Sequence, residues 1–334
     1  MSRVLVTGGA GYVGSVCCEE LLRQGYEVCI VDDLSTGHRH AVPDKAEFHQ
    51  IDIGNAASMR EVLASGRFDA VFHFAAKALI PESVTNPAVF YQVNVVAATT
   101  MIDAVREAGI KRFIFSSTAA VYGNPIEIPI SEEHPKAPVN SYGDTKLAFE
   151  RLLEWYSKAY GISVCAFRYF NAAGATLFHG EGHVPETHIL PLLFESAVGE
   201  REFFTIYGSD YPTPDGTCVR DYVHVLDIAQ AHILALRTMN SPGFTVYNIG
   251  LGKGYSVREV HARAERIIGA KIPIREGPYR AGDPAVLCAS PRRLISELGW
   301  EPQNSDLDHI IETAWAWKNR GRLNAGGTMK AWPK

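Results

Sequence analysis

Short apolar runs alternate with longer amphipathic stretches through the first half of the chain. The runs are Val4–Val6, Val28–Val31, Ala70–Phe72 and Arg112–Phe115. Each run is too short for a buried helix, and the stretches between them repeat their apolar residues with helical spacing. This pattern is typical of buried parallel strands joined by crossover helices. It predicts an α/β fold with a doubly wound parallel sheet over residues 1–175.

The second half of the chain has a different composition. After Asn171 it is rich in glycine and proline, and its helical patterns are short. Such a composition is typical of surface loops, so it predicts a smaller, loop-rich lobe over residues 176–334. Within this lobe Val225–Leu236 has helical spacing and Val246–Ile249 is a short apolar run. We therefore expect the chain to return to the first domain around residues 225–250.

Composition and charge narrow the classes of function. The chain has 334 residues, of which 46% are hydrophobic and 21% are charged, as is ordinary for a folded protein. Its formal net charge of -5 gives no electrostatic footprint for nucleic acid. We find no apolar stretch of the roughly 18 residues that a membrane span needs, and no signal sequence. We therefore expect no nucleic-acid partner, no membrane partner and a cytoplasmic location.

The six cysteines bear on the compartment and on metal binding. They show no paired spacing of the kind that binds metal, and several lie inside apolar runs, where thiols pack as small hydrophobic groups. We expect a reducing compartment and no metal site.

A glycine-rich turn, Thr7–Gly14, follows the first predicted strand and opens a helix that ends near Arg23. Its glycines include Gly8, Gly11 and Gly14. Glycines there permit a tight turn, close approach of the backbone to a pyrophosphate and close packing of helix on strand, while the helix N-terminus favours the anion. The position between a strand and a helix predicts a dinucleotide site in a Rossmann-type sheet, rather than an ordinary glycine-rich turn.

Carboxylates after the second and third strands extend this prediction. Asp32 and Asp33 end the second strand, where a carboxylate hydrogen-bonds the ribose hydroxyls of adenosine and repels a 2'-phosphate. NAD is therefore the expected cofactor rather than NADP, with Arg39 nearby as a contrary sign. Asp33 alone could equally be a solvated turn residue. Asp52, after the third strand, could bond the adenine amine or cap a helix.

Tyr142 and Lys146 have a spacing that puts a phenol and an ammonium on one face of a helix. Bringing a tyrosine to a pKa near 7 needs roughly 4 kcal/mol of differential stabilisation. A positive charge at about 4 Å supplies roughly that much, and an oxidised nicotinamide ring adds a second charge. We expect Tyr142 to act as a base near neutral pH. Thr118, at the carboxyl end of another strand, can hydrogen-bond the reacting alcohol.

Four further segments carry a family resemblance. They are Val31–Leu34, His73–Ala76, Tyr169–Asn171 and Gly208–Val225. The last contains Asp-Tyr-Pro-Thr-x-Asp-Gly-Thr and Val-Arg-Asp-Tyr-x-His-Val. With these motifs the chain resembles, over nearly its whole length, the UDP-glucose 4-epimerases of the extended short-chain dehydrogenase/reductase superfamily. The resemblance implies that tightly bound NAD takes hydride from C4 of a UDP-hexose, that the 4-keto sugar turns over, and that hydride returns to the opposite face.

The resemblance also implies roles for single residues. Tyr142 is implied as the acid/base, Lys146 as the partner that lowers its pKa and binds the nicotinamide ribose, and Thr118 as the hydroxyl that orients O4. Together with the residues above, the cofactor set is Gly8, Gly11, Tyr12, Val13, Gly14, Asp32, Asp33, Asp52, Ile53, Phe74, Ala75, Ala76, Lys77, Asn94, Ser116, Tyr142, Lys146 and Tyr169. The implied substrate set is Thr118, Tyr142, Asn171, His188, Ile189, Thr205, Tyr207, Arg220, Arg280, Asp283 and Leu287.

Three positions depart from the family pattern. Where many members place a lysine over the cofactor phosphates, an ungapped match gives Ala78, with Lys77 one position early. A serine that is common at position 118 is Thr118 here. Leu287 stands where well-known members have tyrosine or cysteine in the sugar pocket. We therefore expect a preference for UDP-glucose and UDP-galactose, with weak activity on the N-acetyl pair.

Other functions compete with this interpretation. Nucleotide-sugar 4,6-dehydratases carry an Asp-Glu pair after the threonine and UDP-glucuronate decarboxylases keep a Glu there, whereas Ala119 and Ala120 offer no general acid. A 4-epimerase of another UDP-sugar, such as UDP-N-acetylglucosamine or UDP-xylose, is one alternative, and a non-catalytic NAD-binding sensor is a less favoured one. Helical patterns at about 84–108 and 142–160 fit the homodimer that we expect, although crossover packing explains them equally well.

Overall fold

The computed structural model describes residues 2–279 and 283–323, without the side chains of 321–323. Its strands are β1 (Arg3–Thr7), β2 (Glu27–Asp32), β3 (Glu47–Gln50), β4 (Ala70–His73), β5 (Arg112–Thr118), β6 (Ser163–Tyr169), β7 (Asn171–Ala173), β8 (Phe204–Tyr207), β9 (Val219–Arg220), β10 (Tyr222–His224), β11 (Gly243–Ile249), β12 (Tyr255–Ser256), β13 (Ile274–Gly277) and β14 (Val286–Leu287). Its α-helices are α1 (Tyr12–Arg23), α2 (Ala56–Ala64), α3 (Ile80–Thr85), α4 (Pro87–Tyr91), α5 (Ala98–Glu107), α6 (Ser141–Tyr160), α7 (Ile189–Ala197), α8 (Val225–Thr238), α9 (Val257–Ile268), α10 (Arg292–Leu298) and α11 (Leu307–Leu323).

A seven-stranded sheet forms the centre of the fold. Its strand order is β11-β6-β5-β4-β1-β2-β3, and every neighbouring pair is parallel. Helices α2, α5 and α6 pack on one face, and α1, α8 and α10 pack on the other. Since both faces are covered, the strands are almost continuously apolar, which is why they appear as short hydrophobic runs in the sequence. The predicted Rossmann-type α/β fold is confirmed.

The strand order reverses between β1 and β4. In open α/β sheets, ligands bind in the crevice outside the carboxyl ends of the strands at such a switch point. Thr7 and His73 are paired there, and Thr7 Oγ1 lies 2.7 Å from His73 Nδ1. Both side chains are buried, so this hydrogen bond satisfies two polar groups that water does not reach. Burial also lowers the pKa of His73 to about 3. The contact fixes the two strand ends that frame the crevice.

The second half of the chain builds a lobe of small sheets. These sheets pair β10 with β7, β9 with β12 and β14, and β13 with β8. Helices α7, α9 and α11 share a core with them, as expected for a smaller, loop-rich lobe. The segment between these sheets contributes α8 and β11, and β11 pairs with β6 at one edge of the central sheet. The chain therefore returns to the central sheet before it completes the lobe.

The helical pattern predicted at about 84–108 is interrupted. Helix α3 ends at Thr85 because Asn86 precedes Pro87 and has a non-helical backbone. From Pro87 to Glu107 the 21-residue helix is continuous through a π-helical segment, and an 18-residue window within it has a mean hydropathy of 1.3. By length and composition it could cross a membrane, so the expectation that no stretch is long enough was wrong. The core helices of soluble proteins can have the same length and composition, and 44% of this window is buried inside the protein.

Candidate active site

The turn between β1 and α1 has room only for glycine at two positions. Gly8 has a φ of +76°, and a Cβ there would lie 2.3 Å from the main-chain nitrogen of Ala75. A Cβ on Gly14 would lie 2.2 Å from the carbonyl oxygen of Gly8. Gly11 precedes α1, whose first turn has no capping side chain and no acidic residue among the described residues. A pyrophosphate therefore fits the chemistry of this helix start.

The two aspartates at the end of β2 have different surroundings. Asp32 is buried, and its carboxylate accepts from the Ala10 amide at 3.0 Å and from the Leu34 amide at 2.8 Å. Burial raises the pKa of Asp32, and these two hydrogen bonds oppose the rise. Asp33 is exposed and accepts from the Ser35 amide at 2.8 Å. Asp32 is therefore the carboxylate that is tied to the glycine-rich turn and can face a ribose bound there.

The other predicted cofactor residues divide between core and surface. Four apolar members pack against the two faces of the sheet core: Val13, Ile53, Phe74 and Ala75. Ala76 is half-buried in the loop after β4. Asp52 is exposed and accepts from the Gly54 amide at 2.8 Å, so its carboxylate stabilises its own turn. Nothing in this geometry ties Asp52 to the glycine-rich turn.

Asn94 clamps the loop after β4 from within the π-helical segment Gln92–Ala97. Its Oδ1 accepts from the Lys77 amide at 2.8 Å, and its Nδ2 donates to the Lys77 carbonyl at 2.9 Å. The same Nδ2 donates to Thr145 Oγ1 on α6 at 3.1 Å. One buried amide therefore joins three elements around the crevice, and π-helical segments often mark functional sites. Ala78 lines the adjacent cleft, whereas Lys77 is not among the lining residues.

Tyr142 and Lys146 lie on one face of α6, one turn apart, as predicted. Helix α6 begins after Asn140, whose side chain accepts from the Gly143 amide at 2.9 Å. The phenol of Tyr142 interacts with the Thr118 side chain, and its ring meets Phe90 edge-on. Lys146 is buried, and its Nζ donates to the carbonyl oxygen of Ser116 at 2.8 Å. The end of β5 thus binds both members of the pair.

The protein groups alone do not shift the pKa of Tyr142 in the expected direction. Burial raises this pKa, and the interaction with Thr118 only partly opposes the rise. Burial also lowers the pKa of Lys146 to about 7, against the attraction of Glu150. In the protein alone, burial therefore outweighs the stabilisation of the phenolate that was expected from Lys146. The second positive charge expected beside the phenol is that of the oxidised nicotinamide ring.

A cleft of about 600 Å³ opens beside these groups. Nine predicted substrate residues line it: Thr118, Asn171, His188, Ile189, Thr205, Tyr207, Arg220, Asp283 and Leu287. Tyr12 and Tyr169 of the predicted cofactor set line it as well. Tyr142 is not among the lining residues and is connected to the cleft through Thr118. Arg280 lies outside the described residues.

Arg220 is a cation of the cleft wall that several protein groups hold in place. Its Nη1 donates to the carbonyl oxygens of Val219 and Pro284, both at 2.9 Å. Its Nη2 lies 3.4 Å from a carboxylate oxygen of Asp283. In the parallel pairing of β14 with β9, Leu287 stands opposite Arg220. The two short strands therefore set the positions of Arg220 and Leu287, and the ion pair brings Asp283 next to Arg220.

A polar cluster on the same wall was not predicted from the sequence. Glu181 and His183 line both the cleft and a smaller crevice beside Gly11 at the start of α1. Trp317 lines both cavities as well, and its Nε1 donates to the Glu181 carbonyl at 2.9 Å. The signal that could have revealed the cluster is the repeated Glu-x-His spacing of residues 181–183 and 186–188.

Comparison with known proteins decides the family. The NAD dependent epimerase/dehydratase family matches residues 4–250. The chain belongs to this family. Family membership confirms the resemblance inferred from the motifs and the predicted use of NAD. As a member of the NAD-dependent epimerase/dehydratase family, the chain is expected to bind its cofactor at the glycine-rich turn.

Relatives of known name agree over nearly the whole chain. A UDP-glucose 4-epimerase of Corynebacterium glutamicum is 46% identical over 314 residues, which are 94% of this chain and 95% of the relative. A crystal structure of the UDP-glucose 4-epimerase of Brucella ovis in complex with NAD has a TM-score of 0.91 and 42% identity, and covers 95% of this chain and 98% of that one. A crystal structure of the UDP-glucose 4-epimerase of Bifidobacterium longum in complex with NAD+ and UDP has a TM-score of 0.90 and 35% identity. It covers 96% of this chain and 99% of that one.

Proposed function

We propose that this chain is an isomerase that interconverts UDP-glucose and UDP-galactose by transient oxidation at sugar C4. The observation that carries the proposal is that Tyr142 interacts with Thr118 at the cleft, with the buried Lys146 side chain one turn further along the same helix. Relatives named UDP-glucose 4-epimerase that align with 94% of the chain support the choice of substrate.

When bound, NAD supplies the acceptor and the donor of the hydride at C4. Tyr142 Oη removes the proton of the sugar O4 hydroxyl as C4 is oxidised, and it returns a proton when C4 is reduced. The Thr118 hydroxyl bonds O4 and holds it near the phenol. The protonated form of Lys146 stabilises the phenolate by its charge. Ala119 and Ala120 line the cleft next to Thr118 and offer no acid for elimination of water.

The two halves of the chain bind different ligands, NAD and the UDP-sugar. Residues 1–175, with the return around 225–250, hold NAD through the glycine-rich turn and Asp32. Residues 176–334 mainly hold the UDP-sugar. In this lobe the positive charge of the Arg220 guanidinium attracts the phosphates, and the resemblance implies the same role for Arg280, which lies outside the described residues. Further contacts to UDP come from Asn171, His188, Ile189 and Asp283, and the backbone of Thr205 and Tyr207 faces uracil.

Leu287 sets the room on the sugar side of the cleft. It is half-buried and packs with an apolar cluster that contains Tyr122 and Ala119. Ala119 is the residue directly after Thr118. We propose that it disfavours N-acetylated sugars without excluding them, because a change of about one methylene in a pocket alters discrimination by only about 1 to 3 kcal/mol. UDP-glucose and UDP-galactose are then the better substrates.

The enzyme works as a cytoplasmic homodimer in this proposal. Two apolar side chains, Val96 on the π-helical segment and Trp155 on α6, are 51% and 68% exposed. A partner subunit that covers them would remove apolar surface from water. Sedimentation of the purified protein at several concentrations measures the oligomeric state directly.

The test of the proposal is turnover without added cofactor. Purified protein is incubated with UDP-galactose, and UDP-glucose is measured by chromatography, while a second sample is denatured and assayed for released NAD. We expect both product and NAD. NAD without product on any UDP-sugar would support the sensor alternative. Initial rates on UDP-galactose, UDP-N-acetylgalactosamine and UDP-xylose, measured side by side, distinguish the sugar alternatives.

A further inference from the structure

Two Glu-x-His segments face each other in the loop between β7 and α7. His183 Nδ1 contacts the carboxylate of Glu181. His188 Nδ1 lies 2.7 Å from the carboxylate of Glu186 and 3.5 Å from that of Glu181. Both imidazoles thus direct Nδ1 at carboxylate oxygens, and the two rings stand 5.3 Å apart. Glu181 is the member that both histidines approach.

One ligand atom from each of Glu181, His183 and His188 lies within 4.8 Å of the others. Around an ion with bonds of about 2.1 Å, tetrahedral ligand atoms stand roughly 3.4 Å apart. His188 Nδ1 and the Glu181 carboxylate already have about this spacing at 3.5 Å, and the closer contact of His183 with Glu181 widens when an ion enters between them. Imidazole nitrogen and carboxylate oxygen are the ligands of Zn²⁺ and related ions. We propose that, while no UDP-sugar occupies the cleft and His188 is free of it, these three residues form a binding site for a divalent transition-metal ion of the Zn²⁺ class.

The backbone holds this arrangement before any ion binds. The Glu181 carboxylate accepts from the amides of Gly182 at 2.8 Å and His183 at 3.0 Å. The Glu186 carboxylate accepts from the amides of Thr187 at 2.6 Å and His188 at 2.7 Å. Each Glu-x-His segment is therefore a preformed turn, so little conformational entropy is lost when an ion binds.

Contacts with both halves of the chain fix the loop itself. His38 Nε2, in the loop after β2, lies 2.8 Å from the Gly182 carbonyl oxygen. Trp317 on α11 donates to the neighbouring Glu181 carbonyl. The side chains of Glu181, His183 and His188 are 12%, 25% and 45% exposed, which leaves a route for an ion from the cleft. The site lies between the cleft and the crevice at the start of α1.

An ion would take the place of protons in this cluster. Each close contact between an imidazole nitrogen and a carboxylate oxygen needs a proton between them, and a metal ion that coordinates both atoms releases it. Bound in this way, the ion cross-links residues 181–188 and stabilises the folded loop in proportion to its affinity. Glu186 then stays hydrogen-bonded beside the site and orients the loop around His188.

A second group of ligand types serves as an internal comparison. Cys29, Glu47 and His49 also lie within 4.8 Å of one another. Burial raises the pKa of the Cys29 thiol to about 12, and Glu47 forms ion pairs with both Arg3 and His49. A thiolate is the form that binds metal, so this group is a poor site. His49→Ala is therefore a matched histidine control.

The test measures metal binding by the full-length protein with its NAD. Protein dialysed against a chelator is titrated with Zn²⁺ by calorimetry and with Co²⁺ by visible absorption, without any UDP-sugar, so the result does not depend on the proposed function. We expect one ion per chain and a visible Co²⁺ spectrum. His183→Ala and His188→Ala should each weaken binding by at least about tenfold, whereas His49→Ala should not.

Circular dichroism and NAD content establish that each variant is folded, and Glu181→Gln provides a third variant with nearly unchanged volume. Absence of stoichiometric binding to the parent protein would overturn the proposal. Equal affinities of the parent, His183→Ala and Glu181→Gln would do the same, and so would loss of binding in His49→Ala alone.

Discussion

The Lys146 ammonium donates to the main-chain oxygen of Ser116 at 2.8 Å, and only 3% of the lysine is exposed. One carbonyl oxygen does not replace the water that the ammonium loses, so burial lowers the pKa of Lys146 to about 7. A lysine kept at the border between its charged and neutral forms is costly for stability at low pH. The cost is understandable if the charge is used in catalysis.

This burial predicts a pH-dependent cost in stability. A lysine in the unfolded chain titrates near about 10.4, so between about pH 7 and 10 the unfolded state binds more protons than the folded state, and this group's contribution to the free energy of unfolding rises with pH. That contribution is lost as pH falls through about 7. Lys146→Met should therefore gain stability relative to the parent near pH 7, and the gain should shrink towards about pH 10. Urea unfolding at several pH values measures the free energy of unfolding of the variant and the parent, and Lys158→Met, at an exposed position of the same helix, is the control. A difference between Lys146→Met and the parent that does not change with pH would contradict the prediction.

Tyr142→Phe should abolish nearly all turnover while leaving NAD content and UDP-sugar binding close to those of the parent. The change removes only the oxygen that transfers the proton, so kcat should fall at least about 10²-fold. Tyr156→Phe is the matched control, because its hydroxyl bonds Asp103 on α5 instead of Thr118. Activity of Tyr142→Phe within a few-fold of the parent would refute the assignment of the acid/base.

Asp32 should make the apoprotein prefer NAD over NADP by at least about tenfold, which is about 1.4 kcal/mol. A buried carboxylate beside a 2'-phosphate leaves two like charges without compensation. Asp32→Asn should narrow the preference, whereas Asp33→Asn should leave it unchanged because Asp33 is exposed. Calorimetric titration of the parent and of each variant with NAD and with NADP measures the ratio of the two dissociation constants. NADP binding to the parent as tight as NAD would show that Asp32 does not face the ribose.

Leu287 should control how well N-acetylated substrates are used. Leu287→Cys should raise kcat/KM for UDP-N-acetylgalactosamine relative to UDP-galactose, and Leu287→Tyr should lower it, because the side chain fills space that an acetamido group needs. The ratio of the two kcat/KM values is the measurement. If neither variant changed it by more than about twofold, roughly 0.4 kcal/mol, Leu287 would not determine the room for the substituent.

The parts of the site that short motifs encode could be predicted from the sequence. Gly8 and Gly14 are required because backbone atoms of neighbouring segments occupy the space of a Cβ, and that requirement leaves a readable pattern. The helical spacing of Tyr142 and Lys146 likewise places both residues on one face of α6. Asp32 and Asp33 could not be separated in this way, because which of two adjacent carboxylates is buried depends on where β2 ends.

The features that the sequence did not reveal depend on burial and on contacts between distant segments. Desolvation, which changes the pKa of Lys146, depends on how β5 packs over α6. The break at Asn86 was missed although Pro87 marks it, since the apolar spacing continues across it. The cluster around Glu181 depends on how residues 181–188 fold back on themselves, which hydrophobic periodicity does not encode.

The order of strands in the sheet also has a consequence for how the chain is made. Strand β11 pairs with β6 from Ser163–Gly243 to Tyr169–Ile249, and β7 to β10 lie between them in the sequence. During synthesis, β6 leaves the ribosome long before β11, which covers its edge. The middle of β6 is apolar throughout. An uncovered apolar edge invites pairing with other chains. The nascent chain is therefore most prone to aggregate in that interval, and a fragment that stops after β6 should be far less soluble than one that includes β11.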